Sequence, residues 1–132
     1  MLNARARRFS GSRVARYVIE IPNWTPAKIN ELLGHRQKAT RLKKRDREIV
    51  WGYTRQVKIP PQERKRRISL AIILPTSRPG PFPDPDAFFK SLNDALVYAG
   101  ALVNDSPKWV ELAPVQYERA AQWGTRIVLE DI

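Results

Sequence analysis

PDPDAFFKSLNDALVYAGALVND, residues 83–105, is the stretch on which the reading of this chain turns. Asp84 and Asp86 stand two residues apart in a Pro-rich segment, and residues at that spacing share one side of an extended chain. Pro85 biases Asp84 toward extended backbone, because the proline ring excludes the helical region for the residue before it. Asp86 is placed to cap a helix beginning near Ala87, its carboxylate accepting backbone N–H groups. Along that helix Phe88, Leu92, Ala95, Leu96 and Ala99 recur at intervals of three and four, which defines a buried face. Asp86, Lys90 and Asp94, each four apart, form a charged row on another side. Gly100 is a natural stop. Ala101, Leu102 and Val103 then return the chain to the core and deliver Asn104 and Asp105 into the next loop. If that loop comes back beside the helix start, Asp84, Asp86 and Asp105 converge. Three carboxylates repel one another unless a cation is bound, and hard oxygen donors suit Mg²⁺ or Mn²⁺ rather than zinc.

Upstream of this stretch, Ile68–Leu74 (ISLAIIL) is almost continuously apolar, as a central strand covered on both faces would be. Residues 76–83 (TSRPGPFP) form a Pro/Gly loop leading into the acidic turn. Glu63–Arg67 (ERKRR) is a basic cluster expected in a loop, after Pro60-Pro61 has ended the helix before it. That helix begins at His35, with Ala39, Leu42, Ile49, Val50, Tyr53 and Val57 as its buried stripe. Its outer face carries Arg36, Lys38, Arg41, Lys43, Lys44, Arg45 and Arg47, while Asp46 and Glu48 are the only acids between Gly34 and Gln62. With Lys65 and Arg66 these cations are the candidate phosphate contacts. Thr25-Pro26 is a suitable N-cap and first-turn pair for a shorter helical turn with Ile29, Leu32 and Leu33 inward. Tyr17–Ile21 (YVIEI) reads as the first strand. Residues 1–16 carry five arginines and no acid, which fits either an arm following a phosphate backbone or a solvated tail.

Downstream, Trp109–Tyr117 reads as a strand that Pro114 confines to an edge or a bulge. Thr125–Glu130 is the last strand, expected to follow in a hairpin whose loop contains Gly124. Trp24 and Trp51 lie near the basic elements and are candidates for stacking on unpaired bases.

The chain has 132 residues, no cysteine, one histidine and a net charge of +11. Absence of cysteine excludes disulfides and thiol catalysis, and carboxylates remain as the available metal ligands. The charge is unevenly spread. Residues 1–83 hold 20 Lys and Arg against 5 Asp and Glu, and residues 84–132 hold 4 against 8. A basic front half joined to an acidic back half suits a polyanion partner and a separate metal site. Membrane surfaces also attract basic segments, but the basic helix lacks a large exposed apolar face. No apolar run is long enough to span a bilayer.

The run P-D-x-D, an apolar turn, Lys90, Asp94-Ala95-Leu96, Ala99-Gly100 and a late acidic position resembles the signature of the RusA-type Holliday junction resolvases. Asp84 and Asp86 match the family's D-x-D, Lys90 its lysine, and Asp105 the second acid of its late pair. Ala87 stands where the family usually has Asn, and Asn104 where it has the first acid of that pair. The resemblance implies a Mg²⁺-dependent, homodimeric DNA endonuclease with Asp84, Asp86, Lys90 and Asp105 as catalytic residues. Asp84, Asp86 and Asp105 would hold Mg²⁺ or Mn²⁺.

The expectation is therefore a small mixed α/β domain over residues 17–132, in the order β-α-β-α-β-β, behind a basic arm over residues 1–16. It would be cytoplasmic, without a membrane or small-molecule organic cofactor, and would cut branched DNA. The rival expectation is a basic nucleic-acid-binding or architectural protein without catalysis.

Overall fold

In the computed structural model the strand β3 (Arg66–Pro75) is the axis of the molecule. The structure describes residues 4–8, 15–77 and 82–132. It is a mixed α/β domain. Before β3 come β1 (Ala4–Arg8), β2 (Ala15–Pro22), α1 (Ile29–Leu33) and α2 (Arg36–Val57). A 3₁₀ turn (Pro85–Phe88), α3 (Phe89–Tyr98), β4 (Val110–Leu112), β5 (Gln116–Ala120) and β6 (Gly124–Asp131) follow it. The sheet runs β1-β2-β6-β3-β4, with β5 also paired to β3. Thus β4 and β5 share one edge, parallel to β3, whereas the other pairings are antiparallel.

Four expectations are corrected. First, part of the N-terminal arm, Ala4–Arg8, is a strand hydrogen-bonded to β2; residues 1–3 and 9–14 lie outside the described residues. Second, β5 and β6 form no hairpin, because β3 lies between them, and Gly124 opens β6 instead of turning a loop. Third, the first helix starts at Ile29 rather than after Thr25, and Ile29 and Leu33 are exposed. In the segment before it, the N–H of Ala27 donates to the carboxylate of Asp46 at 2.8 Å. Fourth, helices cover β3 on one face only.

Register explains the last point. On one face Tyr17, Ile19 and Ile21 align with Leu129, Ile127 and Thr125, and these with Ile68, Leu70 and Ile72. That face is buried with Val50, Val57, Phe88, Leu92 and Leu96 from the helical layer. On the other, Glu20 faces Arg126, Arg67 lies between Glu130 and Glu111, and Arg126 reaches Glu118 past Ala71.

Other boundaries follow local chemistry. Between the paired positions Leu112–Ile68 and Gln116–Ala71, three residues (113–115) oppose two (69 and 70). This is a bulge at the edge position expected from Pro114. Helix α2 ends when Lys58 turns left-handed and its N–H bonds Thr54. Gly100, at φ 82°, ends α3 with Gly100 N–H to Val97 O and Ala101 N–H to Leu96 O, the paired closure that a left-handed glycine permits. Among the described residues no helix is long and apolar enough to cross a membrane.

Candidate functional site

The acidic turn is held in place from the edge strand. The Phe82 ring stacks on Tyr117 at 4.6 Å between centroids and 12° between planes. The Arg119 guanidinium sits 4.9 Å from the Phe82 centroid and also donates to Pro75 O at 3.2 Å. The Tyr117 hydroxyl donates to Pro83 O. Tyr117 pairs with Ile72 in the register of the core-facing side, so the turn emerges on the helical side of the sheet. Burial, and then the charge of Asp84, raise the Tyr117 phenol above its ordinary value.

Asp84 sits at φ −58°, ψ 126°, extended as Pro85 demands, and its Oδ1 accepts from Asp86 N at 3.0 Å. The capping carboxylate is therefore Asp84, and Asp86 lies in the first turn with its own side chain exposed. The turn is 3₁₀ before it becomes α at Phe89. Lys90, one turn on, is exposed; Ser91 beside it is buried and donates to Asp46 Oδ2 at 2.6 Å.

Asp46 organises the layer beneath these groups and is wholly buried. It accepts from Trp24 Nε1 at 3.0 Å, Ala27 N at 2.8 Å, Ser91 Oγ at 2.6 Å, and Arg45 Nε and Nη2 at 3.0 and 2.9 Å. One carboxylate thus ties α2, the segment before α1 and the first turn of α3 together. A buried carboxylate needs such a shell, since an unpaired charge away from water is costly. The sequence held a signal for it: Asp46 is seven residues after Ala39 and four before Val50, within the apolar stripe.

Asp105 lies elsewhere. Ala101 O accepts from Arg66, Val103 N donates to Gln62 Oε1, and Ser106 N donates to Asn104 Oδ1. These bonds fix its loop beside the start of β3. Asp84 follows Pro83, whose carbonyl is held by Tyr117, the partner of Ile72 further along β3. Among the described residues no group of three or more His, Cys, Asp and Glu side chains could hold one metal ion. The expected convergence of Asp84, Asp86 and Asp105 is therefore not found within the single chain; the Asp84–Asp86 turn is the part that exists locally.

The cationic face is largely where the sequence put it. Arg36, Lys38, Arg41, Lys44 and Arg47 are exposed on α2, and Lys43 is half-buried. Arg45 is exposed but committed to Asp46 and to Thr25 O. Lys65 is half-buried.

Two assignments are corrected. Arg66, expected to contact DNA, is 1% exposed. Its guanidinium donates to Asp131 Oδ1 and Ala101 O, each at 2.7 Å, and to Pro60 O at 3.1 Å, and lies 5.4 Å from the Tyr17 ring centroid. A guanidinium so enclosed cannot reach a phosphate. Trp24 is likewise 5% exposed and bonded to Asp46, so it has no face for a base. Trp51 is 44% exposed, with Arg55 4.8 Å above its ring, and remains available.

Beside the acidic turn opens a cavity of about 730 Å³, which sequence reasoning did not anticipate. Ile21, Ile72, Leu74 and Phe88 line it together with Tyr53, Trp123, Lys28, Arg45 and Pro83. Compared with known proteins, the chain matches no family model and no curated protein.

Proposed function

We propose that this chain is a divalent-metal-dependent endodeoxyribonuclease acting on branched DNA such as four-way junctions, in the manner of the RusA-type resolvases it resembles. The observation that supports this most is a juxtaposition. An exposed pair of aspartates, an exposed lysine one turn later and a helix rich in exposed cations all belong to the helical side of the sheet, coupled through the Asp46–Ser91 bond.

Asp84 and Asp86 would hold Mg²⁺ or Mn²⁺ as carboxylates completed by water and the DNA phosphate, a donor set that Mg²⁺ accepts readily. Such an ion would activate water and neutralise charge developing on the phosphate. Lys90 would place a compact positive charge at a phosphate oxygen. Helix α2 would hold the backbone through Arg36, Lys38, Arg41, Lys43, Lys44 and Arg47. Asp105 joins this set on the resemblance alone. A two-fold junction is cut at two symmetric positions, so the acting form would be a homodimer.

A second reading is a basic DNA-binding protein without catalysis. The observation favouring it is that no three-acid metal group forms among the described residues. The deciding experiment is nicking of a four-way junction in Mg²⁺ against the same reaction in EDTA. Cutting is expected in Mg²⁺ only, and Asp86→Asn should lose it by orders of magnitude while still binding junction. Tight binding with no cutting in either Mg²⁺ or Mn²⁺ would establish the second reading.

A further inference from the structure

We propose that the cavity between β2, β3 and α2 is a pocket for one unpaired nucleotide, whose base enters the apolar interior while its phosphate stays at the charged rim. This rests on the DNA-directed reading above, and adds a site which that reading does not require.

Four features support it. The volume, about 730 Å³, lies within the range of pockets that enclose small organic ligands. Its walls divide by chemistry: Ile21, Ile72, Leu74 and Phe88 are apolar and buried, whereas the rim is charged, with Lys28 beside Glu31 and with Arg45, whose guanidinium is held by Asp46. Tyr53 and Trp123 supply π faces, Trp123 being 45% exposed. Aromatic groups beside cations are the general means of holding an unstacked base and its phosphate.

The third feature is position. Pro83 belongs to the cavity wall and is joined directly to Asp84, so a nucleotide held there has its backbone beside the acidic turn.

The fourth is the rim. Asn23 is left-handed at φ 56°, a conformation uncommon for a residue with a side chain, and its N–H bonds Trp123 O at 2.9 Å. Thr125 Oγ1 donates to Trp24 O at 2.6 Å. These bonds fix the rim between β2 and β6 before any ligand arrives. Less ordering is then left to be done on binding.

Lys28 and the tryptophan also select against other occupants. A purely apolar ligand would leave the Lys28 ammonium unused. Inorganic phosphate alone would leave the deep wall of Ile72, Leu74 and Phe88 empty.

The test uses the full chain and free deoxyadenosine monophosphate, followed by NMR of the indole N–H signals. There are four tryptophans, and Trp109, whose carbonyl accepts from Arg66 N at the start of β3 and which lies outside the cavity wall, serves as the internal control. Nucleotide at millimolar concentration should shift the Trp123 signal and leave Trp109 in place, whereas inorganic phosphate should move neither. Trp123→Ala should weaken nucleotide binding about tenfold, a typical loss for one stacked base, and Trp109→Phe should not. Equal shifts at Trp109 and Trp123, or none at Trp123, would overturn the pocket. The two readings separate cleanly. A chain that cuts junctions but ignores the nucleotide loses the pocket and keeps the nuclease, and a chain that binds the nucleotide but not junctions does the reverse.

Discussion

Helix α2 and the open face of the sheet both carry arginines, and they use them in opposite ways. On the sheet, Arg67 pairs with Glu111 and Glu130, and Arg126 with Glu118 and Glu20. Arg67 sits opposite both of its partners in register and Arg126 opposite Glu20, while Arg126 reaches Glu118 across β3, so each cation meets acids from other strands. On α2, the only ion pair among the described residues is Arg45–Asp46, and Asp46 is buried. Glu48 is then the single exposed acid among the helix's cations. An arginine surrounded by carboxylates is spent within the fold; one facing water is available to a polyanion. Net charge therefore points to a partner only after the internally paired cations have been set aside.

The largest expected effect strikes the buried acid of α2, where that helix meets α3. Asp46→Ala leaves Trp24, Ala27, Ser91 and Arg45 without their common acceptor. Removing one member of a buried charged network costs on the order of 3–5 kcal/mol, so denaturant unfolding should show a loss of that size. Asp46→Asn should also be destabilised, because its amide presents N–H to donors. A loss under about 1 kcal/mol for both variants would mean that α2 and α3 are held by apolar packing alone.

Next comes the cationic helix. Replacing Arg41, Lys44 and Arg47 together by Ala should weaken DNA binding and flatten the plot of log K against log salt concentration. The slope should fall by about 0.9 for each phosphate that is no longer neutralised. The same measurement on Arg67→Ala with Arg126→Ala should leave the slope unchanged. Equal flattening by both sets would break the contrast between the two faces.

Smaller still is the stability cost of opening the sheet-face pairs. These side chains are partly exposed, and pairs of that kind are weakened by water and salt. Thermal unfolding of Arg67→Ala should show a slightly lowered Tm, by less as salt is raised. A drop as large as that of Asp46→Ala would mean that the ladder is a core element despite its exposure.

The smallest effect is the tyrosine at the acidic turn. The folded Tyr117 phenol is raised first by burial and then by Asp84. Its contribution is full below the ordinary tyrosine value and is lost as pH rises through the folded one. Asp84→Asn removes only the second cause. Tyrosinate absorbance should then titrate lower than in the wild type but still above an exposed tyrosine. An unchanged titration would place Asp84 too far from Tyr117 to matter.

Much was legible in the linear chain wherever the decisive interaction is local. Asp84 is extended because Pro85 follows it, α3 stops at Gly100 because left-handed backbone favours glycine, and the edge strand breaks around Pro114 because proline cannot donate to a ladder. The buried faces of α2 and α3 followed from helical period. What periodicity left open was the fate of charged residues. Arg66 looks like its neighbours Lys65 and Arg67, yet its partner Asp131 is 65 residues away. The place of Asp46 on the apolar stripe marks it for burial but does not name its partners, and its ties to Trp24 and Ser91 span 22 and 45 residues. The placement of β3 between β5 and β6, and the separation of Asp105 from Asp84, are also products of chain crossing. Local sterics set backbone and period within a few residues. Burial, pairing and proximity belong to the packed whole, and these alone decided which carboxylates are structural and which face the solvent.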